Sequence, residues 1–450
     1  MHLHILGVCG TFMAGIALLA RSAGHHVTGS DANVYPPMSC QLAKEGIEVK
    51  EGYSPVHLKP RPDCVVIGNA LSRGNPAIEY TLENRLNYTS GPQWLKDNIL
   101  LDRWTIAVTG THGKTTTTAM ISWILDQTGH EPGFLIGGVA RNFEISARLG
   151  SKPFFVIEAD EYDTAFFDKR SKFVHYPAQT AVINNIEHDH VDIFPDLTAI
   201  QRQFAHFLRI IPPSGRVIAA ANDLNIDAVL AKGCWSEIIR FGETGQYKAI
   251  HENKNCSKFR VNDEELAADH LVEWSLIGRH NRDNALAAIA AAHHVGVSIA
   301  DSCKSLRTFK NTKRRLEIIG CPNEITIYDD FAHHPTAISK TLAALRSTVG
   351  NARILAILEP RSNTMKLGLH INTLGPSLND ADRIWVLHAA GLNWDLKKIA
   401  TNCRKPLIFV KNVESIVEEV ALEARSGDHI VIMSNGGFDN IQQKLKGKLV

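Results

Sequence analysis

The feature that most narrows the fold is an alternation repeated along most of the chain: short apolar runs separated by helix-patterned stretches. HLHIL, HHVTG and CVVIGNA are such runs in the first hundred residues, with a helical pattern from Met13 to Ala23 between the first two. Runs of this kind suit strands covered on both faces, and the intervening helical patterns suit the crossovers of a parallel sheet. RWTIAVTG, PFFVIEAD, QTAVINN and GRVIAA form a second series. After NALAAIAAAHHVG and the link FKNTKRRLEIIG comes a third: EITIYDD, ARILAILEP, DRIWVLHA, PLIFV and DHIVIMSN. The class expected is α/β, and 450 residues suit about three domains. We set the units at 1–103, 104–312 and 313–450.

With 48 basic and 47 acidic residues, the formal charge of +1 supplies no global field for nucleic acid or an anionic membrane. An anion site must therefore be built locally. The eight cysteines are scattered without a C-x-x-C pair, which suits free thiols in a reducing cytoplasm rather than disulfides or a zinc knuckle. LHILGVCGTFMAGIALLA lacks a basic leader and is interrupted by Gly7, Gly10 and Gly15, so it reads as strand, turn and buried helix, not as a signal peptide or membrane span.

The stretch TIAVTGTHGKTTTTAM carries the clearest chemistry. A strand runs into a glycine loop and then into a helical pattern closed by Gly129. Gly110, Thr111, His112 and Gly113 can turn backbone N–H groups toward phosphate, Lys114 can meet the β/γ-phosphates, and Thr115, followed by Thr116, can ligate Mg²⁺. Val108 stands where the generic phosphate-loop pattern wants glycine, and an ordinary strand-to-helix turn with a solvated lysine is the plainer alternative.

FFVIEADEYD delivers Glu158 at a strand end, with Asp160, Glu161 and Asp163 beyond it. Ligands of open parallel sheets collect at such ends, where a carboxylate can hold a hard cation, although a solvated acidic loop is the commoner fate of such runs. INNIEHDHVD offers His190, with Asp189 as its expected orienting partner. A zinc reading of His188 and His190 lacks further ligands at a recognisable spacing. In GRHNRDNALAA, Asn281 and Asn284 fall three apart in a first helical turn, so both amides could meet one base edge; helix capping is an equally natural use. Arg314 and Arg315 could grip phosphate oxygens or form a solvated linker. The loop GVCGTFMAG breaks the dinucleotide fingerprint at Cys9 and Phe12, while Asp31 could still reach a ribose.

Taken in order, TGTHGKTTTT, EADEYD, NNIEHDHVD, GRHNRDNALAA, KRRLE and YDDFAHHPTA resemble the Mur ligase family, ATP-dependent amide-forming enzymes of cell-wall precursor synthesis. That family's loop has the form T-G-T-x-G-K-[ST], to which Val108 conforms. The resemblance implies a Rossmann-like N-terminal domain for a UDP-sugar, a central P-loop ATPase-like domain and a Rossmann-like C-terminal domain that closes over the site. It assigns the UDP-sugar to Gly10, Thr11, Phe12, Met13, Ser30 and Asp31. ATP falls to the loop residues with Asn281, Asn284 on adenine, Arg315, and Asp330 on ribose. Lys114, Glu158 and His190 become catalytic, with Thr115, Glu158 and His190 on magnesium.

No lysine occurs between Lys172 and Lys232, which matches the muramate-activating branch. Within that branch GVCGTFM, SDANVYPP, SGPQWL, FFDKRSKFVHY, EPRSNTMK and MSNGGF resemble members that attach a salvaged tripeptide, L-alanyl-γ-D-glutamyl-meso-diaminopimelate, to UDP-N-acetylmuramate rather than the members that attach L-alanine. Arg361, Asn363 and Lys366 then become candidates for the peptide's carboxylates. His190 or His333 are the basic groups available to the incoming amine. The substrates are small molecules and no nucleic-acid or membrane partner is implied; the oligomeric state stays open, a monomer being sufficient. Two other classes are weighed against this: a non-catalytic sensor of ATP and UDP-sugar, and a nicotinamide dehydrogenase, which the broken fingerprint disfavours.

Overall fold

The computed structural model describes every residue except 37, 264–265, 389–391 and 393. The first sheet comprises β1 (His2–Leu6), β2 (His26–Asp31), β3 (Glu48–Glu51), β4 (Cys64–Ile67) and β5 (Tyr88–Ser90) in the order β3-β2-β1-β4-β5. All its pairings are parallel. The order reverses between β1 and β4, so the loops after those two strands part and leave a crevice at their carboxyl ends, the usual ligand position in such sheets. The helix Thr11–Ser22 buries Met13 through Ala20 between this sheet and the strands Pro132–Ala140 and Ile145–Arg148 of the next, which is why the apolar N-terminal segment stays within the fold. No helix among the described residues is long and apolar enough to cross a membrane.

The second sheet comprises β6 (Trp104–Thr109), β7 (Pro132–Ala140), β8 (Ile145–Arg148), β9 (Ser151–Glu158), β12 (Ala178–Ile183), β13 (Arg216–Ala220) and β14 (Glu237–Phe241), with a hairpin of β10 (Asp163–Ala165) and β11 (Asp168–Ser171) beside it. Its order is β14-β13-β12-β6-β9-β7-β8. Parallel pairing of β6 with both β9 and β12 brings three strand ends together: Thr109, Glu158 and Ile183. The phosphate-loop candidate, the acidic run and the Asn184–His190 loop thereby become neighbours. The helix Lys114–Gln127 packs on this sheet and against Arg279–His294, an alanine-rich helix whose small side chains allow close approach. A small antiparallel sheet of β15 (Ala249–Ile250), β16 (Lys258–Asp263) and β17 (Ala268–Glu273) flanks them.

The third sheet holds β18 (Glu317–Gly320), β19 (Thr326–Asp330), β20 (Ile354–Leu358), β21 (Arg383–Leu387), β22 (Leu407–Val410) and β23 (His429–Met433), ordered β18-β19-β23-β20-β21-β22. Only β18 pairs antiparallel. The buried faces form two layers of core, one around Ile338, Ile354 and Met433 and one around Trp385, Ile416 and Ile441. The ends of β19, β20 and β23 face the central site, so Asp330 and the segments after Leu358 and Met433 are placed to complete it.

Candidate active site between the sheets

The phosphate loop turns twice through left-handed backbone, at Gly110 (φ +125°) and Gly113 (φ +84°). A Cβ on Gly113 would lie 2.5 Å from Asn284 Oδ1 and 2.8 Å from Asn184 Nδ2, so glycine is required by space as well as conformation. The amides expected to face phosphate are only partly free. Asn185 accepts from the Thr111 N–H at its backbone oxygen (3.0 Å) and from the His112 N–H at Oδ1 (2.8 Å). The first-turn N–H groups from Lys114 to Thr116 have no intrahelical acceptor, and these remain for an anion.

Lys114 donates to Glu161 Oε2 at 2.6 Å and lies 3.7 Å from Asp160. Burial of the ammonium would lower its pKa; the charges of Glu161 and Asp160 outweigh this and hold it above the ordinary lysine value. Thr115 donates to Glu158 Oε1 at 3.0 Å, and the Gly137 N–H donates to Glu158 Oε2 at 2.6 Å. Glu158 is nonetheless pushed above the usual carboxylate range, because its desolvation outweighs Lys114 and these bonds.

The expected pairing of His190 with Asp189 is corrected by the structure. Glu161 Oε1 lies 3.0 Å from His190 Nε2, whereas Asp189 is 4.0 Å from that nitrogen and accepts from the His190 backbone N–H at 2.8 Å. A positive φ of +55° at His190 turns the ring away from its sequence neighbour and onto Glu161 and Tyr162. Burial alone would lower the imidazole; the bond to Glu161 and the charges of Glu161, Asp189 and Asp160 reverse this and raise it. The metal trio is likewise divided: Thr115 touches Glu158, while His190 shares a cluster with Asp160 and Glu161. Among the described residues this cluster and His112, Glu187 and His334 are the two groups with metal-ligand spacing.

A cavity of about 360 Å³ opens beside the loop, lined by His112, Gly113, Thr116, Asn281, Asn284, Arg315 and Asp330. Gly110 and Thr111 lie outside its lining; the Thr111 hydroxyl accepts from the Glu187 N–H instead. Asn281 donates its amide to the Ile277 carbonyl, and Asn284 packs on Gly113. The adjacent arginines diverge: Arg315 reaches Thr115 Oγ1 (3.3 Å), whereas Arg314 reaches the Ser434 carbonyl (2.6 Å) and Asp329. Asp330, expected at a ribose, accepts from the Leu316 and Ala332 N–H groups and from Thr341, so its carboxylate mainly organises the junction.

A second cavity, about 670 Å³, lies at the crevice of the first sheet and is lined by Gly10, Thr11, Phe12, Met13 and Asp31 at one side and Glu158 and Asp160 at the other. Ser30 is outside it, fully buried between His4 Nε2 (2.9 Å) and His57 Nδ1 (3.0 Å). Neighbouring residues of a strand face opposite ways, so Ser30 and Asp31 do not share a surface. Asp31 itself holds the glycine loop by accepting from the Cys9 and Asn33 N–H groups.

From helices beside the third sheet, Thr336 of Pro335–Val349 donates to Glu187 Oε2 (2.7 Å) and Thr364 of Asn363–Lys366 to Asp189 Oδ1 (3.0 Å), so both carboxylates of the Asn184–His190 loop bond across the junction. Arg361, Asn363 and Lys366 are exposed and line neither cavity; Arg361 lies against Gly436. Glu161, Lys172, Asn185 and Glu187 are site residues that motif reading passed over. Glu161 was visible in the acidic run and Lys172 in FFDKRSKFVHY, but nothing local distinguished them from solvated charges.

Sequence comparison agrees with this arrangement. Residues 2–103 match the Mur ligase family catalytic domain, 108–292 the Mur ligase middle domain and 314–436 the Mur ligase glutamate ligase domain. The chain belongs to the Mur ligase family. Among Mur ligases it is 56% identical over 447 residues to the UDP-N-acetylmuramate–L-alanyl-γ-D-glutamyl-meso-2,6-diaminoheptandioate ligase of Escherichia coli, covering 99% of this chain and 97% of that one. To the UDP-N-acetylmuramate–L-alanine ligase of Acetivibrio thermocellus it is 32% identical, covering 97% and 93%. The crystal structure of a murein peptide ligase from Psychrobacter arcticus superposes with a TM-score of 0.77 at 47% identity, covering 100% of this chain and 98% of that one.

Proposed function

We propose that this Mur ligase uses ATP to join L-alanyl-γ-D-glutamyl-meso-diaminopimelate to UDP-N-acetylmuramate, a step that returns salvaged tripeptide to peptidoglycan synthesis. The observation that carries an activating ligase is a hydrogen-bonded bridge between the linings of two cavities: Glu158 of the crevice accepts from Thr115, whose hydroxyl also accepts from Arg315 of the cavity beside the phosphate loop. Glu158 and Asp160 line the crevice proposed for the UDP-sugar, and Glu158 bonds Thr115 at the start of the phosphate-loop helix. The choice of tripeptide over L-alanine is supported by the identity of 56% to a tripeptide ligase against 32% to an L-alanine ligase.

A carboxylate does not acylate an amine at neutral pH, because oxide or hydroxide would have to leave. In the proposed reaction the lactyl carboxylate attacks the γ-phosphorus and ADP departs, giving an acyl phosphate. The free α-amine of the peptide's L-alanine then adds to the acyl carbon, and phosphate leaves from the tetrahedral intermediate. The protein's share is alignment and charge neutralisation. Lys114 releases Glu161 to meet the phosphates, Arg315 covers Thr115 from the link that precedes the third sheet, and Asn281, Asn284 and Asp330 border the nucleotide. Thr115 and Glu158 suit Mg²⁺, being hard oxygen donors, and the raised pKa of Glu158 marks a buried carboxylate that gains from a cation. Magnesium, when bound, would neutralise charge developing on the phosphoryl oxygens. His190 could hold it only as neutral imidazole through a ring nitrogen, a use that competes with its contact to Glu161.

His333 is poorly suited to take the amine's proton: burial pushes its pKa down to about 4, and its Nδ1 lies 2.9 Å from the Phe331 carbonyl. We place the reaction in the cytoplasm, where ATP is supplied and where eight free cysteines remain reduced.

Mass spectrometry of the product formed from UDP-N-acetylmuramate, ATP, Mg²⁺ and either tripeptide or L-alanine tests the reading. The tripeptide adduct is expected. Efficient use of L-alanine with the tripeptide inert would reassign the chain to the L-alanine ligases, and absence of substrate-dependent phosphate release would leave a sensor. Arg361→Ala is expected to raise the tripeptide KM roughly tenfold by removing a charged contact, with the KM for ATP unchanged. An unaltered tripeptide KM would remove Arg361 from peptide recognition.

A further inference from the structure

Lys172 opens a short 3₁₀ turn, Lys172–His175, after the hairpin that follows the acidic run. Its backbone N–H donates to the Tyr162 carbonyl at 2.9 Å, which anchors the turn beside β9. The side chain is only 7% exposed, yet its sole ion-pair partner among the described residues is Asp160, at 3.2 Å. Asp160 is itself shared with Lys114 at 3.7 Å. The ammonium sits over the rings of Phe12 (5.1 Å) and Tyr162 (5.6 Å), one from the first sheet's glycine loop and one from the central unit. Two aromatic faces stabilise a desolvated cation while leaving its N–H donors unsaturated.

The composition of the crevice makes this cation informative. Among the described residues lining it, three are acidic (Asp31, Glu158 and Asp160) and Lys172 alone is basic. For a substrate that brings a carboxylate into such a cavity, Lys172 is the one side chain among the described lining residues that offers a positive charge. Through Asp160, at 3.2 Å, that lysine is tied to Lys114 at the start of the phosphate-loop helix, which lies 3.7 Å from the same carboxylate.

We propose that Lys172 binds the reacting carboxylate of the sugar substrate, pairing with the lactyl group of UDP-N-acetylmuramate so that a carboxylate oxygen faces the γ-phosphate. The assignment rests on the function proposed above. Three donors on one ammonium let Lys172 keep Asp160 and still hold the substrate, and an interaction of this charged type accounts for roughly 10- to 100-fold in affinity.

Equilibrium binding to the full chain, with Mg²⁺ and a non-hydrolysable ATP analogue present, tests it with two ligands. UDP-N-acetylglucosamine has the same nucleotide and ring but lacks the lactyl carboxylate. Wild type is expected to favour UDP-N-acetylmuramate. Lys172→Met should weaken UDP-N-acetylmuramate by roughly 10- to 100-fold while leaving UDP-N-acetylglucosamine within about twofold, and Lys172→Arg should restore most of the loss. The second ligand also reports folding; if Lys172→Met binds neither sugar, Lys172→Gln replaces it and the same contrast is required. Equal weakening of both ligands would move Lys172 to the diphosphate or to a structural role and overturn the proposal, as would unchanged binding of both. Failure of wild type to bind either nucleotide sugar would instead overturn the function proposed for the chain.

Discussion

Lys114→Met is expected to lower kcat by roughly 10³-fold, the scale seen when one preorganised donor to a developing charge is removed. In the free protein the ammonium is buried and paired with Glu161 at 2.6 Å, with Asp160 at 3.7 Å, so it is already desolvated and within reach of the loop's anion site. The arriving phosphate must draw the ammonium from Glu161, but little hydration has to be stripped from it first. The same substitution leaves Glu161, 2% exposed, with His190 as its remaining ion-pair partner among the described residues. An under-compensated buried carboxylate destabilises, so the melting temperature should fall as well. Lys114→Arg should not rescue activity, because the planar guanidinium does not reproduce a compact point charge at the end of the loop. Steady-state phosphate release with saturating ATP reads the first effect and thermal unfolding the second. A kcat within tenfold of wild type would remove Lys114 from the phosphoryl step.

The parts of the site that were legible in sequence are those fixed by local chemistry. Gly113 is required by a left-handed turn, and Glu158 is delivered by the end of an apolar strand; both follow from short-range pattern. The parts that were not legible depend on which way a side chain turns once three strand ends meet. Asp189 is adjacent to His190 in sequence, but the backbone at His190 sends the ring to Glu161, 29 positions earlier. Asp31, expected at a ribose, lines the crevice and also accepts from the N–H of Cys9, a bond that sequence did not show. Ser30, one residue before it, points into a histidine network by simple strand alternation, a rule available from sequence once the strand's register is known. Position alone did not separate Arg314 from Arg315; the resemblance named Arg315 for ATP, and it is Arg315 that bonds Thr115 in the phosphate-loop helix while Arg314 turns to Ser434. The α/β class followed from the alternation of apolar runs because central strands such as β4, β6 and β20 are buried on both faces, whereas the junctions between sheets hinge on polar bonds such as Glu187 to Thr336 that carry no periodic signal.

Glu158→Gln separates stability from activity most sharply. Desolvation raises the Glu158 pKa above its ordinary 4.5, more than Lys114 and the Gly137 N–H lower it. A carboxyl whose folded pKa is raised binds its proton more tightly in the native state. Its stabilising contribution is therefore complete below about 4.5 and is lost as pH rises through the higher native value, so at neutral pH the ionised side chain costs stability. Glutamine keeps the length of the side chain and an acceptor for the Gly137 N–H without the charge. The free variant is expected to melt on the order of 1–3 °C above wild type at pH 7.5, with the difference shrinking toward pH 4, while kcat falls by roughly 10³-fold. Added Mg²⁺ and ATP analogue should raise the melting temperature of wild type more than that of the variant, since the neutral amide is the weaker ligand for a hard cation. A variant less stable than wild type at neutral pH would mean that the attraction between Glu158 and Lys114 outweighs the burial of its charge. Retained activity would move the metal to the Asp160, Glu161 and His190 cluster instead.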